Sequence, residues 1–168
     1  MIFLILFLNS TLSYGEEQLS DDEQLSDDDL LIEGDSLENT LDRKLKASGN
    51  AVLKKGGKTI KADLIEYDQV SDELYAIGNI SVKGNGSSLT GSSIELSVTE
   101  NVGSVPNATF SSTLNNESNS FNNILRGSAK MLFLEGESKK RLQNASITTC
   151  DAGQDDWFIK ASEIEIND

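Results

Sequence analysis

A six-residue pattern that occurs four times constrains this sequence more than any other feature. Each copy has a small residue, two spacers, an apolar residue, a spacer and a second apolar residue, and the copies span residues 62–67, 91–96, 129–134 and 161–166. Side chains two positions apart lie on the same side of a β-strand. The pattern therefore predicts an all-β chain whose repeated strands share one apolar face.

The two apolar residues of each copy define that face. The residue between them is Glu66, Glu95 or Glu165 in three copies and should point to solvent, whereas Phe133 takes this place in the third copy and should be covered on both sides. Stacked strands would form a continuous apolar groove, either buried against another sheet or filled by a ligand. The candidate groove residues are Ile65, Tyr67, Ile94, Leu96, Leu132, Leu134, Ile164 and Ile166.

A second repeat gives the size of the unit. Residues 47–54 contain a Gly-Asn pair and reappear 29 positions later as residues 76–83, and the first two copies of the six-residue pattern have the same offset. We predict a unit of two short strands, one beginning near Gly-Asn and the other near the small residue. Residues 111–123 are rich in Ser and Asn and are predicted to be a loop, and no helix is expected after residue 43.

Charge and hydrophobicity divide the chain into segments. Residues 16–42 contain twelve acidic and no basic residues, which predicts a disordered linker because self-repulsion and low hydrophobicity oppose a core. Residues 1–15 begin with an apolar run that is too short to span a membrane and are predicted to be a secretory signal peptide. One β domain is expected at residues 43–168, where sixteen acidic residues nearly balance fourteen basic ones.

The composition argues against catalysis and against nucleic-acid binding. The chain has no histidine, which excludes Ser-His-Asp and Cys-His catalysis and histidine-ligated zinc. A carboxylate pair for glycoside hydrolysis would need burial, whereas these carboxylates are predicted on solvent faces and in turns. The nearly neutral domain has no basic cluster for nucleic acid. We predict a binding module that is not an enzyme and uses no cofactor or metal.

Cys150 is the single cysteine of the chain. Its Asp and Gly neighbours favour a polar loop, with a small buried core position as the alternative. An unpaired thiol in an exported chain favours an intermolecular or long-range disulfide. Trp157 is expected to begin the last strand and to anchor its packing.

These residues resemble a known family. The Gly-Asn pairs, the repeated strand pattern and especially residues 144–150 (Asn-Ala-Ser-Ile-Thr-Thr-Cys) with 156–164 (Asp-Trp-Phe-Ile-Lys-Ala-Ser-Glu-Ile) are similar to the N-terminal periplasmic OstA-like domain of LptD, the lipopolysaccharide-assembly family of Gram-negative outer membranes. The resemblance covers about residues 47–168. It implies an open, twisted antiparallel β-jellyroll of the LptA/LptC type, on the periplasmic side of the outer membrane, whose apolar interior carries lipopolysaccharide acyl chains.

The resemblance also implies partners. An LptA-like bridge protein would join the open sheet by edge-strand addition. In the family a C-terminal barrel follows this domain, contacts an LptE-like lipoprotein and provides a disulfide partner for the cysteine that matches Cys150. The barrel is not within the 168 residues, and the family's earlier cysteine has no counterpart.

Two other functions stay open at this point. A free-standing LptA-like bridge would share the fold, but it should lack the cysteine motif and have a basic chain end. A repetitive adhesive surface protein folded as a β-solenoid would explain the 29-residue offset, but it requires a strict period, whereas the later copies follow after 38 and 32 residues.

Overall fold

The structure is a computed structural model, which describes residues 30–114, 123–154 and 156–167. Its regular elements are all strands, as predicted: β1 (Leu31–Glu33), β2 (Ser36–Asn39), β3 (Lys44–Lys55), β4 (Lys58–Asp68), β5 (Glu73–Gly84), β6 (Ser87–Ser97), β7 (Val102–Leu114), β8 (Asn123–Glu135), β9 (Lys139–Thr148) and β10 (Ile159–Asn167). They form one antiparallel sheet in which β3 to β10 follow each other in chain order. Within the described residues, no helix is long and apolar enough to cross a membrane.

The sheet begins earlier than the sequence predicts. β1 and β2 pair with the two halves of β3, so the expected disordered linker at residues 16–42 is wrong for residues 31–39. Leu30 and Ile32 pack against the core. This acidic segment is ordered because its backbone hydrogen-bonds to β3 and because these two apolar residues pack against the core. Its composition alone predicts disorder. The predicted signal peptide at residues 1–15 and linker residues 16–29 lie outside the described residues.

The predicted loop at residues 111–123 is also shorter than expected. β7 continues to Leu114, and β8 begins at Asn123. Ser111 and Ser112 pair with Ser88 and Ser87 of β6, and their hydroxyl groups meet at 2.9 and 2.8 Å. Cross-strand hydroxyl pairs allow this polar sequence to be strand. Residues 115–122 lie outside the described residues.

The strands are long and bent, and the Gly-Asn pairs mark the bends. Gly49-Asn50 lies in the middle of β3 and Gly78-Asn79 in the middle of β5, and all four residues have positive φ. The pairing register shifts by one residue at both places. Such β-bulges bend a strand without ending it. The predicted unit of two short strands is therefore wrong, because each unit contains two long strands that bend at their centres.

The six-residue pattern also lies at a bend. In β4, Ala62 is buried, and the next buried residues are Ile65 and Tyr67, so the inward-facing positions skip two residues instead of one. The two spacers carry the strand around the bend, and the small residue lies on its inner side. A Cβ atom on the equivalent Gly91 would collide with Cγ1 of Val105. The pattern is thus the sequence signature of a bent strand.

The bends line up into a corner that divides the sheet into two leaves. Leaf A holds the strand halves next to the β3–β4 and β5–β6 turns. Leaf B holds the halves next to the β4–β5, β6–β7 and β8–β9 turns. Leaf A comprises residues 31–33, 51–62, 80–91, 108–114, 123–129, 145–148 and 159–161, and leaf B comprises 36–47, 65–76, 94–105, 132–142 and 164–167.

The two leaves fold over each other. Lys55 Nζ lies 3.7 Å from Asp72 Oδ1, although β4 separates the two residues and spans 11 residues, which is about 36 Å in a straight strand. The contact requires the sheet to roll until its far ends meet. Between the leaves, Ala47, Ile65 and Ala76 are fully buried. The chain therefore folds as the predicted open antiparallel β-jellyroll.

Candidate functional site

A cavity of about 590 Å³ lies between the two leaves. Leaf A contributes Val82, Leu89 and Phe110, and leaf B contributes Leu132, Leu134, Leu142 and Ile166. The volume is within the usual range for small-molecule sites, and an apolar lining with few polar groups is typical of them. The cavity therefore suits an apolar ligand.

The interior is packed in the strands before β10, where buried residues extend to Leu142 of β9, and it is open at β10. Ala47 and Ile65 are completely buried, whereas Ile164 and Ile166 of β10 are half-buried. Ile159, which pairs with the inward-facing Ile147, is 51% exposed. In the described residues β10 has a strand neighbour on one side only. The leaves therefore leave their apolar faces uncovered toward β10.

All eight candidate groove residues lie on the inner face, but they fall into two groups. Those of β4 and β6 belong to the packed interior and are at most 7% exposed. Leu132, which is itself 2% exposed, lines the cavity together with Leu134 and Ile166, and Ile164 is half-buried beside it. The members of the packed group are Ile65, Tyr67, Ile94 and Leu96.

The sequence analysis missed the half of the cavity wall that comes from β5, β6, β7 and β9. Leu142 belongs to a reversed form of the repeated pattern, in which an apolar residue, two spacers and a small residue end at Ala145. β7 has the same reversed form from Val105 to Ala108, followed by the cavity residue Phe110. Alternate strands run in opposite directions, so a search for the reversed pattern would have found these residues.

Gly127 makes room for the largest side chain of the cavity. It pairs with Phe110 on β7 and with Ile147 on β9. A Cβ atom at Gly127 would lie 2.9 Å from Cζ of Phe110, and it would also collide with the carbonyl oxygen of Ser146. The missing side chain therefore lets the Phe110 ring lie close to β8.

Polar residues surround the cavity at its rim. Lys58 Nζ donates hydrogen bonds to Asn101 Oδ1 and to Glu137 Oε1, both at 3.1 Å. Asn101 is 9% exposed and donates from Nδ2 to the Gly136 carbonyl at 2.8 Å. Lys140 completes this part of the wall. The site thus joins an apolar interior to a charged, hydrogen-bonded rim.

Tyr67 and Asp72 form a polar pair at the turn end of leaf B. The Tyr67 hydroxyl donates to Asp72 Oδ1 at 2.8 Å, and the Thr99 amide donates to Asp72 Oδ2 at 2.7 Å. Burial and the neighbouring carboxylate raise the pKa of Tyr67 to about 12. Burial opposes ionisation of Asp72, but the hydrogen bonds from Thr99 and Tyr67 outweigh it and lower the pKa. The pair is a fixed structural link between turns.

Phe133, the exception in the repeated pattern, faces away from the cavity. The Arg141 guanidinium lies 4.2 Å from the centre of its ring, and Arg141 Nε also donates to Glu135 at 2.8 Å. The Glu135 pKa is lowered by these bonds to Arg141 and Lys139. A cation over the ring covers the side that the sheet leaves open, which explains how an aromatic residue occupies an outward position.

Cys150 lies in the segment between β9 and β10 and is half-buried. Its amide donates to Thr148 Oγ1 at 3.1 Å, and its carbonyl accepts from Arg126 Nε at 2.6 Å. Hydrogen bonding to Thr148 and to the backbone at Trp157 lowers the pKa of the thiol. Trp157 itself is 45% exposed and precedes β10, which begins at Ile159, so its predicted role as a packing anchor is wrong.

A larger depression of about 1040 Å³ lies along leaf B. Its wall includes the candidate groove residues Tyr67, Leu96 and Leu134. It also includes the carboxylates of Glu66, Glu95 and Glu100 together with Lys44 and Lys46. Placing apolar chains beside charged groups removes water from those groups at a cost. Ten charged residues line this depression, whereas three line the cavity between the leaves, which is therefore the better candidate site.

Comparison with known proteins identifies the relatives of this fold. No family model matches the chain. The LPS-assembly protein LptD of Nitrosomonas europaea is 28% identical over 135 residues, covering 80% of this chain. The LptD of Aromatoleum aromaticum is 33% identical over 135 residues, covering 78% of this chain. The chain resembles LptD.

This result confirms the resemblance that the cysteine motif and the repeated strands predicted. The LptD-like chain spans 18% of the length of the Nitrosomonas protein and 17% of the Aromatoleum protein. Its fold is also similar to a crystal structure of LptH from Pseudomonas aeruginosa, described as the LptA-homologous periplasmic component of a lipopolysaccharide transport device. That match has a TM-score of 0.52 at 10% identity, covering 80% of this LptD-like chain and 95% of LptH.

Proposed function

We propose that this chain transports lipopolysaccharide at the outer membrane by holding its acyl chains in the cavity between the leaves. The observation that carries the proposal is the apolar cavity of about 590 Å³, which lies beside the uncovered inner face of β10. The relatives are named for lipopolysaccharide assembly. The domain would receive acyl chains from a periplasmic bridge and pass them to a β-barrel, as the resemblance implies.

The proposed role is physical and involves no bond-making step. Moving an acyl chain into water costs about 0.8 kcal/mol for each methylene group. An apolar channel that stays in contact with the chain avoids this cost during transfer. Binding without chemistry also fits the expectation that the domain is not an enzyme.

The edges of the sheet supply the proposed contacts with partners. β1 and β2 form one edge and β10 forms the other, and an unpaired strand edge can accept a further strand. We propose that an LptA-like bridge protein adds its strands at such an edge, on the periplasmic side of the outer membrane. The LptE-like lipoprotein would contact the barrel of the assembled protein.

The proposed partner of Cys150 is a cysteine outside this chain. The thiol is half-buried rather than enclosed, and hydrogen bonding to Thr148 lowers its pKa. A larger thiolate fraction favours disulfide exchange at an accessible site. These features support the disulfide to the barrel that the family resemblance implies.

A free-standing bridge is the second candidate, because the similarity to LptH covers 95% of that chain. Both candidates require the same apolar cavity. They differ in the disulfide, since a bridge would not need the thiol of Cys150.

The proposed acyl site can be tested by introducing a larger side chain into the cavity. Leu89 lines the cavity, and the adjacent Thr90 is exposed on the opposite face of β6. We expect Leu89→Trp to weaken binding of fluorescent lipopolysaccharide at least about ten-fold, which corresponds to about 1.4 kcal/mol, because the indole takes the space of the acyl chains.

Thr90→Trp is the matched control and should bind like the wild type. Circular dichroism of both variants checks that the sheet is intact. Unchanged affinity in a folded Leu89→Trp variant would contradict the proposed acyl site.

A further inference from the structure

Two lysines of leaf A reach across to the turns of leaf B. Lys55 Nζ donates to Thr99 Oγ1 at 3.1 Å and lies 3.7 Å from Asp72 Oδ1. Lys58 Nζ donates to Asn101 Oδ1 and to Glu137 Oε1, both at 3.1 Å. These bonds join residues at opposite ends of the strands and fasten the roll on the side away from the corner.

The acceptors belong to turns that are themselves linked. The Val98 amide donates to the Asp72 carbonyl at 3.1 Å, which connects the β4–β5 turn to the β6–β7 turn. The Gly136 amide donates to the Asn101 carbonyl at 3.1 Å, which connects the β6–β7 turn to the β8–β9 turn. Leaf B therefore presents three turns as one unit to the two lysines.

The contacts of Lys55 and Lys58 with leaf B are weaker than the packing at the corner. The side chains of Lys58 and Glu137 are 29% and 69% exposed, so water can replace their mutual contact, as it does in most exposed ion pairs. At the corner, Ala47 and Ala76 are completely buried. Separation of the leaves would therefore begin at the lysines, with the corner acting as the hinge.

The fastening also forms part of the cavity wall, because Lys58, Asn101 and Glu137 all line it. An amphiphile with a large polar headgroup must keep that group in water while its apolar part enters. Entry from the side satisfies this requirement, whereas threading a charged headgroup through an apolar interior does not. These residues close one side of the cavity, and the sheet edge at β10 lies at another.

We propose that Lys55 and Lys58, with Asp72, Asn101 and Glu137, form a latch that opens to admit acyl chains sideways into the cavity. This inference rests on the proposed function, because it assigns a gate to the acyl site. Opening the latch changes how fast a ligand enters and leaves, whereas the apolar walls determine how tightly it binds.

The first test measures rates with cis-parinaric acid, a fluorescent fatty acid, by stopped flow on the full chain. Glu137→Gln removes the charge from the latch and should raise association and release rates together by roughly two- to five-fold, the factor expected for an exposed ion pair. Lys54→Gln is the control, because Lys54 pairs with Glu33 at 3.6 Å within one leaf. It should leave both rates unchanged. Equal rates in Glu137→Gln and wild type would overturn the latch.

The second test locks the latch. In a Cys150→Ser background, Lys58→Cys and Glu137→Cys are bridged with a short cleavable bis-maleimide. Uptake of cis-parinaric acid should slow at least about ten-fold and recover when the linker is cleaved, because the leaves can no longer part. Wild-type uptake by the bridged protein would reject the latch but leave the acyl site intact. Absence of binding by the folded wild type would instead reject the proposed function, and the latch with it.

Discussion

Four asparagines adopt positive φ at the corner, namely Asn50, Asn79, Asn107 and Asn144. The side chain of Asn79 donates to both carboxylate oxygens of Asp63, at 3.0 and 2.9 Å, and Asn50 donates to Asp35 at 2.9 Å. Asparagine tolerates the left-handed region better than most residues, and these bonds hold it there. Asparagine thus recurs in the sequence because the bend recurs in the structure.

The Tyr67–Asp72 pair gives a prediction about a single residue. At pH 8, Tyr67→Phe should lower the free energy of unfolding by about 1 kcal/mol, because Asp72 loses a hydrogen bond. The folded pKa of Tyr67 is about 12, against 10.0 for an ordinary tyrosine. The stabilisation that the neutral Tyr67 phenol contributes to the folded state is therefore complete below pH 10, and it is lost as the pH rises toward 12.

Urea unfolding at pH 8 and pH 11 measures this difference. The gap in stability between the wild type and Tyr67→Phe should narrow at pH 11, since only the wild type loses the contribution of a neutral, buried phenol. A gap that is the same at both pH values would show that the phenol does not resist ionisation in the folded protein.

Individual strands were only partly predictable. The repeated pattern identified the inner faces of β4, β6, β8 and β10, because alternation is a local property. It did not reveal the bends, because Gly-Asn with positive φ is compatible with a turn that ends a strand and with a bulge that continues it. Pairing with neighbouring strands decides between them. β1 and β2 were missed for a similar reason, since their partner β3 supplies the ladder that their acidic sequence does not suggest.

The bend in β6 gives a prediction for a single element. Gly91→Ala should lower the free energy of unfolding by about 1 to 3 kcal/mol, because its Cβ atom would collide with Val105 Cγ1 on the neighbouring strand. The same substitution in a Val105→Ala background should cost less, because the colliding methyl group is absent.

Chemical denaturation of the two single variants and the double variant gives the coupling energy. Equal costs of Gly91→Ala in both backgrounds would show that the inner side of the corner is not crowded at this position.

At the scale of the whole molecule, the described strands form one rolled antiparallel meander. This arrangement excludes the β-solenoid that the repeats also allowed. A β-solenoid would stack parallel coils at a strict period, whereas every described pairing here is antiparallel. The cavity exists only at this scale, because rolling places Leu89 of β6 and Ile166 of β10 on the wall of the same cavity. The sequence indicated which residues face inward. It could not show which of them pack tightly and which leave space, because that depends on the distance between the leaves.

Site-specific photo-crosslinking tests the central claim that the interior of the roll holds acyl chains. Ile166 lines the cavity, and the adjacent Glu165 is exposed on the opposite face of the same strand. We expect p-benzoylphenylalanine at Ile166 to capture purified lipopolysaccharide in the full chain. The same residue at Glu165 should capture little or none, because its ring points into water. Equal capture at the two positions, in variants that both retain their β circular dichroism, would contradict the account.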